Sequence, residues 1–159
     1  METHWFEDYG PDFELTTARR TIGETEIVLF ATMTGLHEAP FMSEVDAAQG
    51  VFGARVSPAL LTMAVADGLV VLSGLLHGAA IAFLSVGNVK APRPVLKGDT
   101  VHARVTLVSK RLASKGHAGV VVTRHEVLNQ RDEVVMEYEM TRLIAVRPQV
   151  ESAQPVAAG

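Results

Sequence analysis

The stretch SPALLTMAVADGLVVLSGLL, Ser57 to Leu76, constrains this chain more than any other. Serine followed by proline marks a helix start, with serine as the N-cap and proline as the first helical residue. The residues that follow are apolar on nearly every side, with Thr62, Asp67 and Ser73 as the polar exceptions. A helix that is apolar all round has to be enclosed by the rest of the protein. From Gly68 to Val89 the chain carries no Asp, Glu, Lys or Arg. That length would span a bilayer. However, Ser73, Gly74, His77 and Gly78 interrupt it, and its second half alternates like a strand. The run therefore reads as a buried helix that breaks near His77-Gly78 and hands over to a strand, not as a membrane span.

The second half supplies strands to do the enclosing. Ala79 to Val89 is the first. APRPVLKGD, Ala91 to Asp99, reads as an extended connection into a turn. In Thr100 to Lys110, Val101, Ala103, Val105 and Leu107 share one face, while His102, Arg104, Thr106 and Lys110 share the other. Val120 to Leu128 and Glu133 to Val146 follow, joined by a hairpin turn at NQRD. Upstream, a short strand follows Gly10-Pro11. Thr21 to Thr34 reads as a helix with Glu24 and Glu26 near its start, where negative charge suits the dipole. Gly35 is its terminator, and Val45 to Gly53 has room for a short helix. Helices grouped first and strands grouped later argue an α+β fold.

A chain of 159 residues supports one domain with a proper core. The boundaries expected are 1–147 for that domain and 148–159 for a flexible tail. A net charge of -4 argues against nucleic acid, because phosphate binding needs a basic face. With no cysteine there is no disulfide framework, thiolate metal site or cysteine nucleophile. No two histidines stand at metal-ligand spacing with a carboxylate, so no metal is expected. The start lacks the basic and apolar regions of a secretory signal, and a cytoplasmic location is expected.

Five segments together resemble the MaoC-like family of hot-dog proteins: FEDY, RTIGETEIVLFATMTG, FGARVSPALLT, NVKAPRPVLKGDTV and EVLNQRDEVVMEYE. The resemblance covers Phe6 to Val146. It implies a hot-dog fold, in which an antiparallel sheet wraps around a long apolar central helix. It further implies a homodimer or dimer of dimers joined through sheet edges. The implied partners are acyl-CoA or acyl-carrier-protein thioesters. The reaction implied is reversible hydration of a 2-enoyl thioester in fatty acid metabolism, with no cofactor beyond the thioester itself.

That family places Gly-Asp-x-Asn-Pro-x-His after its first helix, where the aspartate and histidine share and activate a water. Here the same place reads Gly35-Leu36-His37-Glu38-Ala39-Pro40-Phe41, so Leu36 replaces the aspartate and Phe41 the histidine. If one residue is inserted to align Pro40 with the family's proline, Met42 takes the histidine's place. None of the three carries a proton. A second signature, a helix start whose backbone amide binds the thioester oxygen, corresponds to Ser57-Pro58-Ala59. The Ala59 amide still stands at a helix N-terminus, where it can polarise a carbonyl.

Three readings follow. In the first, a hydratase-class protein has an atypical site, with His37 and Glu38 as a relocated catalytic pair. In the second, a non-catalytic thioester-binding subunit pairs with an active paralogue in a hetero-oligomer. In the third, a thioesterase uses Asp67, since some hot-dog thioesterases carry a catalytic carboxylate on the central helix. Ser57, Lys90 and Arg93 are the candidate contacts for substrate or CoA. His77 reads as a cap or loop residue, His102 and His125 as solvated sheet surface, and His4 and His117 as residents of flexible segments.

Overall fold

A computed structural model describes residues 3–148, so the tail expectation lies almost wholly outside the described residues. A single 3-10 turn, Phe6–Asp8, opens the chain. Strands β1 (Glu14–Thr16) and β2 (Arg20–Thr21) follow. Next come α1 (Glu24–Thr34), α2 (Ala39–Met42), α3 (Glu44–Gln49) and α4 (Ala59–Leu72). Four long strands complete the fold: β3 (Ala80–Lys90), β4 (Thr100–Leu112), β5 (Ala118–Leu128) and β6 (Val134–Ala145). The sheet order is β1-β4-β5-β6-β3, with β2 also on β4. All pairings are antiparallel. This sheet curls around α4, which is the hot-dog arrangement.

Helix α1 begins later than the sequence pattern predicts. Thr21 is still paired in β2, and the helix starts only after Gly23. Glu26 fixes that start, accepting from the Gly23 amide at 3.0 Å, a reach-back that satisfies a free helix donor. At the other end Gly35 adopts φ 76, the left-handed conformation that closes a helix. Between β1 and β2 the chain leaves the ladder, and Thr17 Oγ1 accepts from the Ala103 amide at 2.9 Å, so the edge loses no hydrogen bond there.

The core lies between the inner face of the sheet and one face of α4. Leu61, Val65, Ala66, Leu69 and Val70 of α4 meet Val101 and Val105 of β4, Val121 and Val127 of β5, and Met136, Met140 and Ile144 of β6. The expectation of complete enclosure does not hold within one protomer. Leu60, Val71 and Leu72 of α4 are exposed, as are Ile81, Phe83, Leu84, Val86 and Val89 of β3. Strand β3 is an edge, and among the described residues these side chains of β3 and α4 stay exposed.

Two further expectations are corrected. The helix spans Ala59–Leu72 and not Ser57 to Leu76, and Pro58 rather than Ser57 occupies the N-cap position. Ser57 is drawn away from capping because its amide donates to the Val95 carbonyl at 2.7 Å and its hydroxyl accepts from Thr62 Oγ1 at 3.0 Å. His102 and His125 are not solvated; His125 is fully buried on the inner face and His102 nearly so on the outer.

Candidate functional site at the start of the central helix

The segment before α4 is held in place by pairing. The Ser57 amide donates to Val95, the Lys97 amide donates to Arg55 O at 2.9 Å, and Val56 bridges Leu96. The N-terminus of α4 is therefore fixed against the connection between β3 and β4. A cavity of about 350 Å³ opens there. Its walls are Val56, Ser57, Pro58, Ala59 and Thr62 on one side and Ala91 to Val95 on the other, with Val135 and Met136 of β6 below and Phe41 and Phe52 above. Thr62 bonds Pro58 O through its amide. In helix geometry the amides before it, Ala59 first, have no intrahelical acceptor. Ala59 borders this predominantly apolar space, a setting in which a helix N-terminal donor binds developing negative charge strongly.

Phe41, Ser57, Ala59 and Arg93 all line this cavity. Leu36, half-buried, belongs instead to the closure of α1, its amide donating to Ala31 O at 2.9 Å. His37 and Glu38 are exposed and lie outside the lining, with Glu38 serving as the N-cap position of α2. Lys90 is outside it too, its ammonium 2.7 Å from Glu137 on the outer face of the sheet. Arg93 donates to Val134 O at 2.9 Å. Among the described residues it is the one ionisable side chain in the lining. The cavity can orient and polarise a carbonyl, but it presents no aspartate, glutamate or histidine to move a proton.

The family is decided by comparison of the whole chain. The family model "MaoC like domain" matches residues 10–129. The chain belongs to the MaoC-like family. Protein MaoC of Klebsiella aerogenes is 36% identical over 106 residues, 67% of this chain and 31% of that protein. Mesaconyl-CoA hydratase of Cereibacter sphaeroides is 32% identical over 129 residues, 81% of this chain and 32% of that protein. The chain thus spans about a third of the length of the curated relatives it matches. Among solved structures, a monoamine oxidase regulatory protein from Archaeoglobus aligns with a TM-score of 0.82 at 30% identity, covering 92% of this chain and 98% of that one.

In this MaoC-like chain two polar groups go beyond the sequence reading, which names Asp67 and His125 but not their partners and does not name Arg55. One is Arg55. It is 4% exposed and donates to Glu24 Oε1 at 2.6 Å and to the Met42 carbonyl at 3.3 Å. Glu44 lies 3.5 Å away and is also held by Lys97 at 2.5 Å. One guanidinium thereby ties α1, α2 and α3 to the segment that precedes α4. A buried position for the arginine of FGARV leaves no mark on local pattern. The other group lies under α4. Asp67 pairs with Arg142 of β6, which is itself 7% exposed. Beside them His125 stacks on Tyr138, ring centroids 4.8 Å apart, and Thr123 Oγ1 is 2.9 Å from His125 Nε2. Burial pushes the His125 pKa down to about 4, with Arg142 adding to the effect and Asp67 opposing it. Burial likewise raises Tyr138, and takes Tyr9 up to about 12. No helix among the described residues is long and apolar enough to cross a membrane. No cluster of metal-ligating side chains occurs among them.

Proposed function

We propose that this MaoC-like chain binds acyl thioesters at the start of α4, with the Ala59 amide on the thioester oxygen, and lacks the family's usual acid-base pair. The observation that carries this reading is the cavity lining: a helix N-terminus over an apolar space, with Phe41 inside it and no proton-transfer group. A matched acid and base contribute about 10²–10⁴-fold to such a reaction, so hydration of crotonyl-CoA or mesaconyl-CoA is expected to be slower by that order. Calorimetry should detect butyryl-CoA binding while turnover stays low. Introducing Phe41→His, which puts a proton carrier inside the cavity, should raise turnover without tightening binding. Full hydratase turnover in the natural chain, unchanged by His37→Ala and Glu38→Ala, would sink both this reading and the relocated pair.

A second reading is favoured by the uncovered apolar surface of β3 and α4. A strand edge with Ile81, Phe83 and Val86 exposed is a template for further pairing. The occupant we propose is another hot-dog subunit, a second copy or a catalytically intact paralogue. Light scattering should report a dimer that Phe83→Lys dissociates; a monomer at micromolar concentration would remove this reading. The thioesterase reading draws less support, because the Asp67 carboxylate is already paired with Arg142.

A further inference from the structure

Thr62 of α4 and Met136 of β6 both line the cavity. Directly beyond it the core changes character. After Met136, the next inward side chains of β6 are Tyr138, Met140 and Arg142, since alternate residues share a face. His125 stands opposite Tyr138 in the β5–β6 register. On α4 the helix runs from Thr62 toward Asp67, which meets Arg142. A solely apolar acyl pocket would continue into more Val and Met. Here it would continue into a phenol, an imidazole and an ion pair.

Two of these groups are unsatisfied. Tyr138 Oη and His125 Nδ1 are both fully buried with no hydrogen-bond partner. A buried polar atom without a partner costs about 1–3 kcal/mol, and native proteins hold few of them. The nearby void bordered by Tyr9, Thr123 and Arg142 measures about 10 Å³, room for at most one water, and neither His125 nor Tyr138 borders it. Tyr138 is the next inward residue of β6 after the cavity-lining Met136, and both it and His125 keep a polar atom able to bond a ligand group. Met136, unbranched and flexible, is the kind of side chain that can move aside to extend the cavity toward Tyr138.

We infer that Tyr138 and His125 receive the far end of the bound acyl chain, and that the preferred acyl thioesters end in a neutral hydroxyl or carbonyl group. This rests on the proposal that the cavity binds acyl thioesters. The terminus is neutral because Asp67 already balances Arg142, so an ionised carboxylate would be buried without a free cation. A plain alkyl end long enough to pass Met136 would leave both groups unpaired, and the site discriminates against it for that reason.

The test is calorimetry with matched pairs of plain and ω-hydroxy acyl-CoAs of increasing length, butyryl to octanoyl. Once the chain passes Met136, the ω-hydroxy member should bind about tenfold tighter, the equivalent of one hydrogen bond of ordinary strength. Tyr138→Phe keeps the ring and its stacking on His125, so it should erase that preference while leaving affinity for the plain short chain intact. The same variant should melt no lower than the natural protein without ligand, because it deletes an orphaned hydroxyl. Plain chains binding as tightly as ω-hydroxy chains at every length would overturn the inference alone, as would a preference that survives Tyr138→Phe. No binding of any acyl-CoA would overturn the underlying proposal as well.

Discussion

The Arg55 guanidinium donates to the Glu24 carboxylate at 2.6 Å, joining the first turn of α1 to the segment that leads into α4. The same group reaches the Met42 carbonyl, so it sets the height of the α1–α3 layer, including Phe41, above the cavity. Arg55→Ala should destabilise the protein by about 2 kcal/mol, since charge-assisted hydrogen bonds of a buried group are lost while both glutamates regain water. Arg55→Lys should recover little, because a single ammonium cannot span a carboxylate and a carbonyl in the planar fork's geometry. Urea denaturation measures both. Equal stability of Arg55→Ala and the natural chain would show that the layer is held by packing alone.

The Phe6 ring of the N-terminal turn packs directly over Gly119 of β5. The Phe6 ring lies where a Cβ on Gly119 would have to stand. Gly119 is therefore glycine for space and not for backbone freedom, as it sits in the interior of β5. Gly119→Ala should cost about 1–3 kcal/mol through overpacking. Phe6→Ala alone should also destabilise, by leaving a cavity, but the double variant should be more stable than the sum of the two implies. A thermal-melt cycle that is strictly additive would place the ring elsewhere.

Some of this was legible in the residues and some was not. Ser57-Pro58 marked the start of α4 within two residues, because proline fixes the backbone wherever it lies. The strands of the second half were legible from alternation. His125 was not. Along β5 the inner face reads Val121, Thr123, His125, Val127 and the outer face Val120, Val122, Arg124, Glu126, so each mixes apolar with polar and period alone cannot choose. Only the curl of the sheet around α4 decides it. The exposed side of α4 was misread for a related reason, since hydropathy records how much surface needs cover and not whether the same chain provides it.

Asp67 and Arg142 make the one ion pair between α4 and the inner face of the sheet among the described residues, with Arg142 almost wholly buried. Asp67→Asn should destabilise by about 3 kcal/mol, because it strands a buried cation. Replacing both, as Asp67→Leu with Arg142→Met, should restore most of that loss, since an apolar pair of similar volume avoids burying charge. Chemical denaturation of the two variants separates the outcomes. The same Asp67→Asn protein tests thioesterase chemistry: release of free CoA from acyl-CoA that vanishes in it would make the carboxylate a reactive group and not a strut.

His125 gives the fold a pH dependence with a definite sign. Its pKa falls to about 4 in the folded state, chiefly through burial, against 6.5 for the free side chain. The unfolded chain therefore binds more protons between these values, and stability rises with pH across that window. The contribution is complete above about pH 6.5 and is progressively lost as pH falls toward 4; its size is on the order of 3 kcal/mol. His102 acts in the same direction, its pKa lowered first by burial and then by Arg19, with Asp132 opposing. Urea midpoints measured from pH 7.5 down to 4.5 should fall steadily in the natural protein. His125→Gln should fall less steeply over the same range, whatever its stability at neutral pH, because the largest proton-linked difference between folded and unfolded states is gone. Parallel slopes for the two proteins would mean that the imidazole is already solvated or charged inside the fold.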